Sequence, residues 1–329
     1  MARRHTIYQV AAAAGVSIAT VSRVLTKPDV VSPATREKVM LAVEELSYVP
    51  TGAARSLAAR SNEAFGLALP ELGGPYYAEL LSGFEAAAAE RGASVMVVLT
   101  RGKAHADKAV RRLAGRVDAL AVMGGVEISE STLETLRRKV PLVVIAGGAT
   151  EESFSTENVA SARELTGHLL DEHSRTALRF VGDPERAPDV DERHRGFVAA
   201  HADRGLEPAP PIRCETLESE GERIADAVLA CELAADALVC ANDELALALQ
   251  RTLMRGGLSV PEDVSVTGWD DMMAARYVTP GLTTVRQPVR ELGALVVQRI
   301  EQLLGGDGAS TLERRLPTTV VLRQSCGCA

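Results

Sequence analysis

Ile18, Ala19, Ser22 and Arg23 fall on the outer side of a helix that Ser17 can cap. Together they offer two apolar groups, a hydroxyl and a guanidinium. A guanidinium can fork onto guanine O6 and N7, and an apolar side chain can meet the thymine methyl, so this set has the chemistry to read base edges. Thr20 and Ser17 are better placed for phosphate oxygens, which position a protein without carrying sequence information. Thr6 and Ser32, hydroxyl residues at neighbouring helix starts, join them as candidate DNA contacts. The signatures of catalysis are missing: no GxGxxG follows the first strand, and no GxxxxGK[ST], GxSxG or HExxH occurs. The six histidines are scattered, and His194, beside Arg193, reads as a surface residue. Cys214, Cys231, Cys240, Cys326 and Cys328 form no CxxC pair and read as thiols in a reducing compartment. Cys326-Gly327-Cys328 could bind metal or oxidise, but a single CxC with no histidine near it in sequence is a weak signal, and no metal or other cofactor is expected.

Those DNA-facing side chains need a frame. Thr6-x-x-Gln9 is a capping-box pattern, and Ile7, Val10, Ala11 and Ala14 give the helix it opens one apolar face. Gly15 stands where that helix must stop and positive φ is often required. Ser17 caps the next helix, whose Val21, Val24 and Leu25 face inward. The pair predicts a helix-turn-helix over Thr6–Leu25. Ser32-Pro33, a capping residue before a proline, starts a third helix with Val39, Val43 and Leu46 as its buried stripe. Residues 1–60 carry eight basic and four acidic side chains, net +4. That leaves −12 for the remainder of a chain that is −8 overall. Phosphate neutralisation is local and screened within about 10 Å, so a basic head on an acidic body suits DNA binding by the head alone. No run of about 18 apolar residues and no signal-type segment is present, and a cytoplasmic protein is expected.

From Phe65 onward strands and helices alternate. Strands are expected at 65–69, 95–99, 119–123, 142–146, 177–181, 237–241 and 264–268. Helices are expected at 76–91, 103–115, 130–139, 158–172, 193–204, 220–231 and 243–256, with another near 291–304 and final strands near 316–322. This βαβ order argues for parallel sheets covered by helices, an α/β fold in which ligands sit beyond the carboxyl ends of the strands.

TIYQVAAAAGVS, TVSRVL, VSPATREKV, LSYVP and ARSLA over residues 6–60 resemble the head of the lactose-repressor (LacI/GalR) family of bacterial transcription regulators, and the likeness continues along nearly the whole chain. It implies an N-terminal all-α helix-turn-helix domain (1–50) and a hinge helix (51–61). Beyond them it implies a two-lobed periplasmic-binding-protein-like body (62–329) for effector binding and dimerisation. One lobe takes about 62–157 and 286–316, the other about 158–285 and 317–329. In the hinge the resemblance implies contacts from Ala54, Arg55 and Leu57, the leucine wedging into the minor groove at the centre of a near-palindromic operator; such a wedge bends DNA. Thr51-Gly52 departs from the family's usual pair there.

In the body, the resemblance implies effector contacts from Tyr76 and Tyr77, from Arg193, from Asn242, and from Asp270 in Gly268-Trp269-Asp270-Asp271. Asp243 is expected to cap the helix after Asn242. Asp189 and Thr216 fall at effector positions but differ from the family's usual residues, and Ala146 stands where sugar-responsive members carry an acid. These departures argue against an ordinary hexose. The expected protein is a homodimeric repressor, not an enzyme, that binds double-stranded DNA under control of a small hydroxylated effector. An effector-independent regulator, or less readily a solute-binding protein or an enzyme on the same fold, is the alternative.

Overall fold

The structure, a computed structural model, describes residues 5–26, 28–48, 62–147, 152–308, 312 and 314–329. The hinge candidates Ala54, Arg55 and Leu57 lie outside them. Two compact units are present, one reaching Ala64 and including Arg116–Asp118, the other built from the rest.

In the first unit, α1 (Ile7–Ala14), α2 (Ile18–Thr26) and α3 (Pro33–Glu45) form a small cluster. Each start has a local cause. The Thr6 N–H donates to Gln9 Oε1 at 2.8 Å, the Thr20 N–H to Ser17 Oγ at 3.1 Å, and the Thr35 N–H to Ser32 Oγ at 3.4 Å with Pro33 in the first turn. Gly15 ends α1 at φ +66°, a left-handed cap that a residue with a Cβ adopts only at a cost. Val10, Val21 and Val39, one from each helix, are fully buried and pack with Ala11, Val24, Ala42 and Tyr48. α2 is thereby fixed with Ile18, Ala19 and Arg23 exposed and Ser22 and Thr20 half-buried.

The second unit is α/β. Its larger sheet joins β1 (Ala64–Leu69), β2 (Ser94–Leu99), β3 (Ala119–Met123), β4 (Leu142–Ile145), β5 (Ser153–Thr156) and β10 (Arg315–Leu316) in the order β10-β5-β4-β3-β1-β2. The pairings β1–β3, β3–β4, β4–β5 and β5–β10 are all parallel. A second parallel sheet has β6 (Leu178–Val181), β7 (Ala237–Cys240) and β8 (Ser265–Thr267), and β9 (Thr284–Arg286) pairs antiparallel with β11 (Thr319–Val321). The apolar runs AFGLAL, ALAVM and LVVI are buried along their whole length, as strands covered on both faces must be. α4 (Gly74–Ala89) and α12 (Val289–Gly305) cover the larger sheet around Leu80, Phe84, Val296 and Ile300. The smaller sheet is flanked by α7 (Val159–Asp171), α8 (Pro188–Ala202), α9 (Glu218–Leu229) and α10 (Asp243–Arg255). α5 (Ala106–Ala114), α6 (Glu130–Arg137) and α11 (Met273–Tyr277) complete the unit.

Several boundaries differ from expectation. α8 starts at Pro188, five residues before the expected Arg193, because a proline fits the first turn, and this puts Asp189 and Arg193 on one helix. α5 starts at Ala106 rather than 103. β5, β9 and α11 were not expected; each is short, and SFST and TVR hold a single apolar residue apiece.

Candidate functional site

A cavity of about 290 Å³ opens at the carboxyl ends of the strands in the second unit. Its walls include Tyr76, Tyr77, Arg101, Asp189, Arg193, Thr216, Asn242 and Asp270. All seven effector candidates therefore converge on one space. Ala146 is not part of it.

Arg193 is buried and its fork is heavily engaged. Nε donates to Asn158 Oδ1 at 2.9 Å, Nη1 to the Ala241 carbonyl at 2.6 Å, and Nη2 to Asp189 Oδ2 at 3.0 Å. The Trp269 ring lies under it, 4.7 Å from Cζ to the centroid, in a cation–π contact. A guanidinium has five N–H donors, so three bonds leave two for a ligand. Asp270 sits at φ +124° and Asp271 at +53°, rare backbone for non-glycine residues and of the kind that collects at binding sites. Burial pushes the Asp270 carboxyl well above the usual carboxylate range despite Arg193 nearby, which favours its protonated form, able to donate as well as accept. Gln287 Nε2 donates to Asp270 Oδ1 at 2.6 Å, and the Thr156 hydroxyl donates to the other end of that amide. Burial likewise raises both tyrosine hydroxyls, Tyr76 and Tyr77, so both stay protonated, and their rings meet edge to face at 5.6 Å.

Two readings need correction. Asn242, not Asp243, caps α10: the Leu245 N–H donates to Asn242 Oδ1 at 3.1 Å, while Asn242 Nδ2 donates to the Thr216 carbonyl at 3.2 Å. Asp243 is buried and accepts from Thr284 Oγ1 at 2.6 Å and the Met272 N–H at 2.8 Å, and burial raises it to about 6. His194 is not a surface residue; its half-buried ring stands edge-on to Phe180 at 5.1 Å and stacks on Phe197. Asn158, Thr156, Gln287 and Arg101 escaped the sequence reading. Only Asn158 had a local signal, a helix start, and its side chain serves Arg193 instead of the helix.

In the first unit α2 presents Ile18, 39% exposed, with Ala19 and Arg23. Thr6, Ser17 and Ser32 each sit at a helix start in the same cluster. Among the described residues no single helix is long and apolar enough to cross a membrane.

A helix-turn-helix and a periplasmic-binding-protein-like body in one chain define a class, DNA-binding transcriptional regulators. The model of bacterial regulatory proteins of the lacI family matches residues 6–51, and that of the periplasmic binding protein-like domain matches residues 166–326. The transcriptional repressor PurR of Aliivibrio fischeri (strain MJ11) is 32% identical over 305 residues, 89% of this chain and 90% of its own. The transcriptional regulator CelR of Thermobifida fusca is 32% identical over 98% of each. The crystal structure of the lac repressor dimer bound to operator and the anti-inducer ONPF superposes with a TM-score of 0.86 at 26% identity, covering 98% of this chain and 99% of that one. A CelR–cellobiose complex superposes with a TM-score of 0.72 at 28% identity, covering 98% of this chain and 100% of the other. The chain belongs to the lacI family of bacterial regulatory proteins.

Proposed function

We propose that this regulator is a homodimeric repressor whose affinity for a near-palindromic operator is set by a small hydroxylated molecule held among Tyr76, Tyr77, Asp189, Arg193, Thr216, Asn242 and Asp270. One observation carries the reading: a concave polar cavity with two aromatic walls, a partly free guanidinium and the Asp270 carboxyl lies in the same chain as a DNA-reading head. The volume suits a ligand of about monosaccharide size. Thr216 offers no stacking ring, which favours a ligand other than an ordinary hexose. Ile18, Ala19, Ser22 and Arg23 would face base edges, Thr6, Ser17, Thr20 and Ser32 the phosphates, and Ala54, Arg55 and Leu57 the minor groove. The head, hinge and body would divide at about residues 50 and 61, and the protein would act in the cytoplasm.

The lac repressor structure with operator and ligand, and the CelR structure with cellobiose, support this reading by relationship. One observation favours a second reading, regulation without an effector. The arginines of the cavity already have partners inside it, Arg101 with Glu71 at 2.9 Å, Arg186 with Glu215 at 2.5 Å and Arg193 with Asp189 at 3.0 Å.

Thermal-shift screening of sugars, nucleosides and small acids, followed by operator titration with each hit, separates the two. A ligand that raises the melting temperature and changes operator affinity in wild type, but not in Asp270→Ala, supports the first reading. A hit that acts equally on the variant moves the site elsewhere, and operator binding that no ligand alters favours the second. Leu57→Ala should weaken operator binding; unchanged affinity would remove the hinge wedge from the proposal.

A further inference from the structure

Far along the sequence from one another, two histidines and two cysteines converge in the second unit. His168 lies in the last turn of α7 and His173 just past its end, an H-x4-H spacing within the range zinc sites use. Cys326 and Cys328 come from the segment that follows β11. Their ligand atoms, two imidazole nitrogens and two sulfurs, all lie within 4.8 Å of one another.

Four of the six separations lie close to the edges of a tetrahedral zinc site. With Zn–N near 2.05 Å and Zn–S near 2.3 Å, tetrahedral edges are about 3.3 Å for N···N and about 3.6 Å for N···S. Here the two Nε2 atoms are 3.0 Å apart. Cys328 Sγ is 3.2 Å from His168 Nε2 and 3.5 Å from His173 Nε2, and Cys326 Sγ is 3.8 Å from His168 Nε2. Cys326 Sγ also accepts from Thr283 Oγ1 and donates to the Arg323 carbonyl, both at 3.1 Å, bonds that hold that sulfur in place; the two imidazole nitrogens 3.0 Å apart share at most one N–H between them.

The backbone at Ser325 and Cys326 is fixed by bonds that do not involve the four ligand atoms. Ser265 Oγ donates to the Cys326 carbonyl at 2.9 Å, Ser325 Oγ to the Val266 carbonyl at 2.5 Å, and the Thr283 N–H to Ser325 Oγ at 2.9 Å. Gly327 runs at φ +120°, and a Cβ there would come within 2.7 Å of His173 Nδ1, so a glycine between the cysteines lets the turn close on the ring. Cys326 is fully buried and the other three are half-buried, which leaves a route for an ion.

We propose that His168, His173, Cys326 and Cys328 form a closed Cys2His2 site for Zn²⁺ that fastens residues 323–328 to the end of α7. Thiolate and imidazole donors at tetrahedral spacing select zinc over magnesium or calcium, which take oxygen ligands. On binding, each cysteine gives up its S–H proton to solvent and forms an S–Zn bond, the neutral imidazoles each contribute a nitrogen lone pair, and nothing is oxidised or reduced.

The test uses the full chain, stripped of metal with a chelator under reducing conditions. Titration with Co²⁺ should give the intense d–d bands of a tetrahedral ion and a thiolate charge-transfer band, saturating at one ion per chain. Zn²⁺ should displace both and raise the melting temperature. Cys328→Ser and His173→Gln should each lose the charge-transfer intensity or weaken binding at least tenfold, while Cys231→Ser, at an exposed thiol outside the cluster, should bind as wild type. Only the weak spectrum of the hydrated ion in wild type, no effect of zinc on melting, or a Cys326–Cys328 disulfide as the sole stable state of these thiols would overturn the site. The cobalt spectrum of wild type decides the matter even if a variant fails to fold.

Discussion

At the scale of single residues, Asp270 controls more than its own contacts. Its carboxyl keeps a proton up to about 8, whereas in the unfolded chain it titrates near 3.8. Between those values the native state holds a proton that the unfolded state has lost. The stability Asp270 contributes is therefore full below the lower value and drains away as pH rises toward the upper one. An amide cannot titrate, so wild type should lose stability relative to Asp270→Asn between pH 4 and 8; parallel unfolding curves across that range would show that the carboxyl is ionised in the folded protein. Arg193→Lys should be destabilising by about 1–3 kcal/mol in denaturant unfolding, since an ammonium cannot reach Asn158, the Ala241 carbonyl and Asp189 at once and leaves buried acceptors unpaired. Arg193, Asn242 and Asp270 could be picked out in sequence because each matches a short motif of the lacI family. Thr156 and Gln287 were not. They are separated by 131 positions and matter only because the fold lays them side by side behind Asp270.

At the scale of elements, one device recurs in three helix pairs. A Cβ on Gly83 of α4 would strike the Arg290 carbonyl just inside α12, one on Gly196 of α8 the Val159 carbonyl of α7, and one on Gly221 of α9 the Leu245 carbonyl of α10. In each pair backbone approaches backbone with no space for a methyl group. Gly196→Ala should be the most informative change, because α8 carries Asp189 and Arg193 and α7 begins beside Asn158. Overpacking there is expected to cost about 1–3 kcal/mol in unfolding measurements and to disturb the cavity. Gly305→Ala, with nothing near its missing Cβ and no positive φ, should be neutral or slightly stabilising. If Gly196→Ala proves as benign as Gly305→Ala, the close approach of α8 to α7 does not limit packing there. These contacts were illegible in sequence, where a glycine inside a helical pattern only lowers the case for a helix. The helices themselves were legible from their apolar period. β5 and β9 were not: SFST and TVR hold one apolar residue each, too few to show a buried strand, whereas the equally short β4 and β7 lie in apolar runs.

At the scale of the whole molecule, charge and linkage make predictions that no single contact does. The head is basic and the body acidic, so operator affinity should fall steeply with salt, and Arg23→Ala should cost about 1–3 kcal/mol, mostly at one base pair of each half-site. An equal loss on every sequence would make Arg23 a phosphate contact. The proposed effector and the operator address different parts of one chain, and thermodynamics ties them whatever the sign of the response. If the effector changes operator affinity by some factor, the operator must change effector affinity by the same factor. Calorimetric titration of effector into free protein and into the protein–operator complex, set beside operator titrations with and without effector, should return equal ratios. Unequal ratios would mean that the effector acts outside that two-ligand equilibrium, for example by separating protomers, and the oligomeric state measured at each corner of the cycle would then locate the missing step.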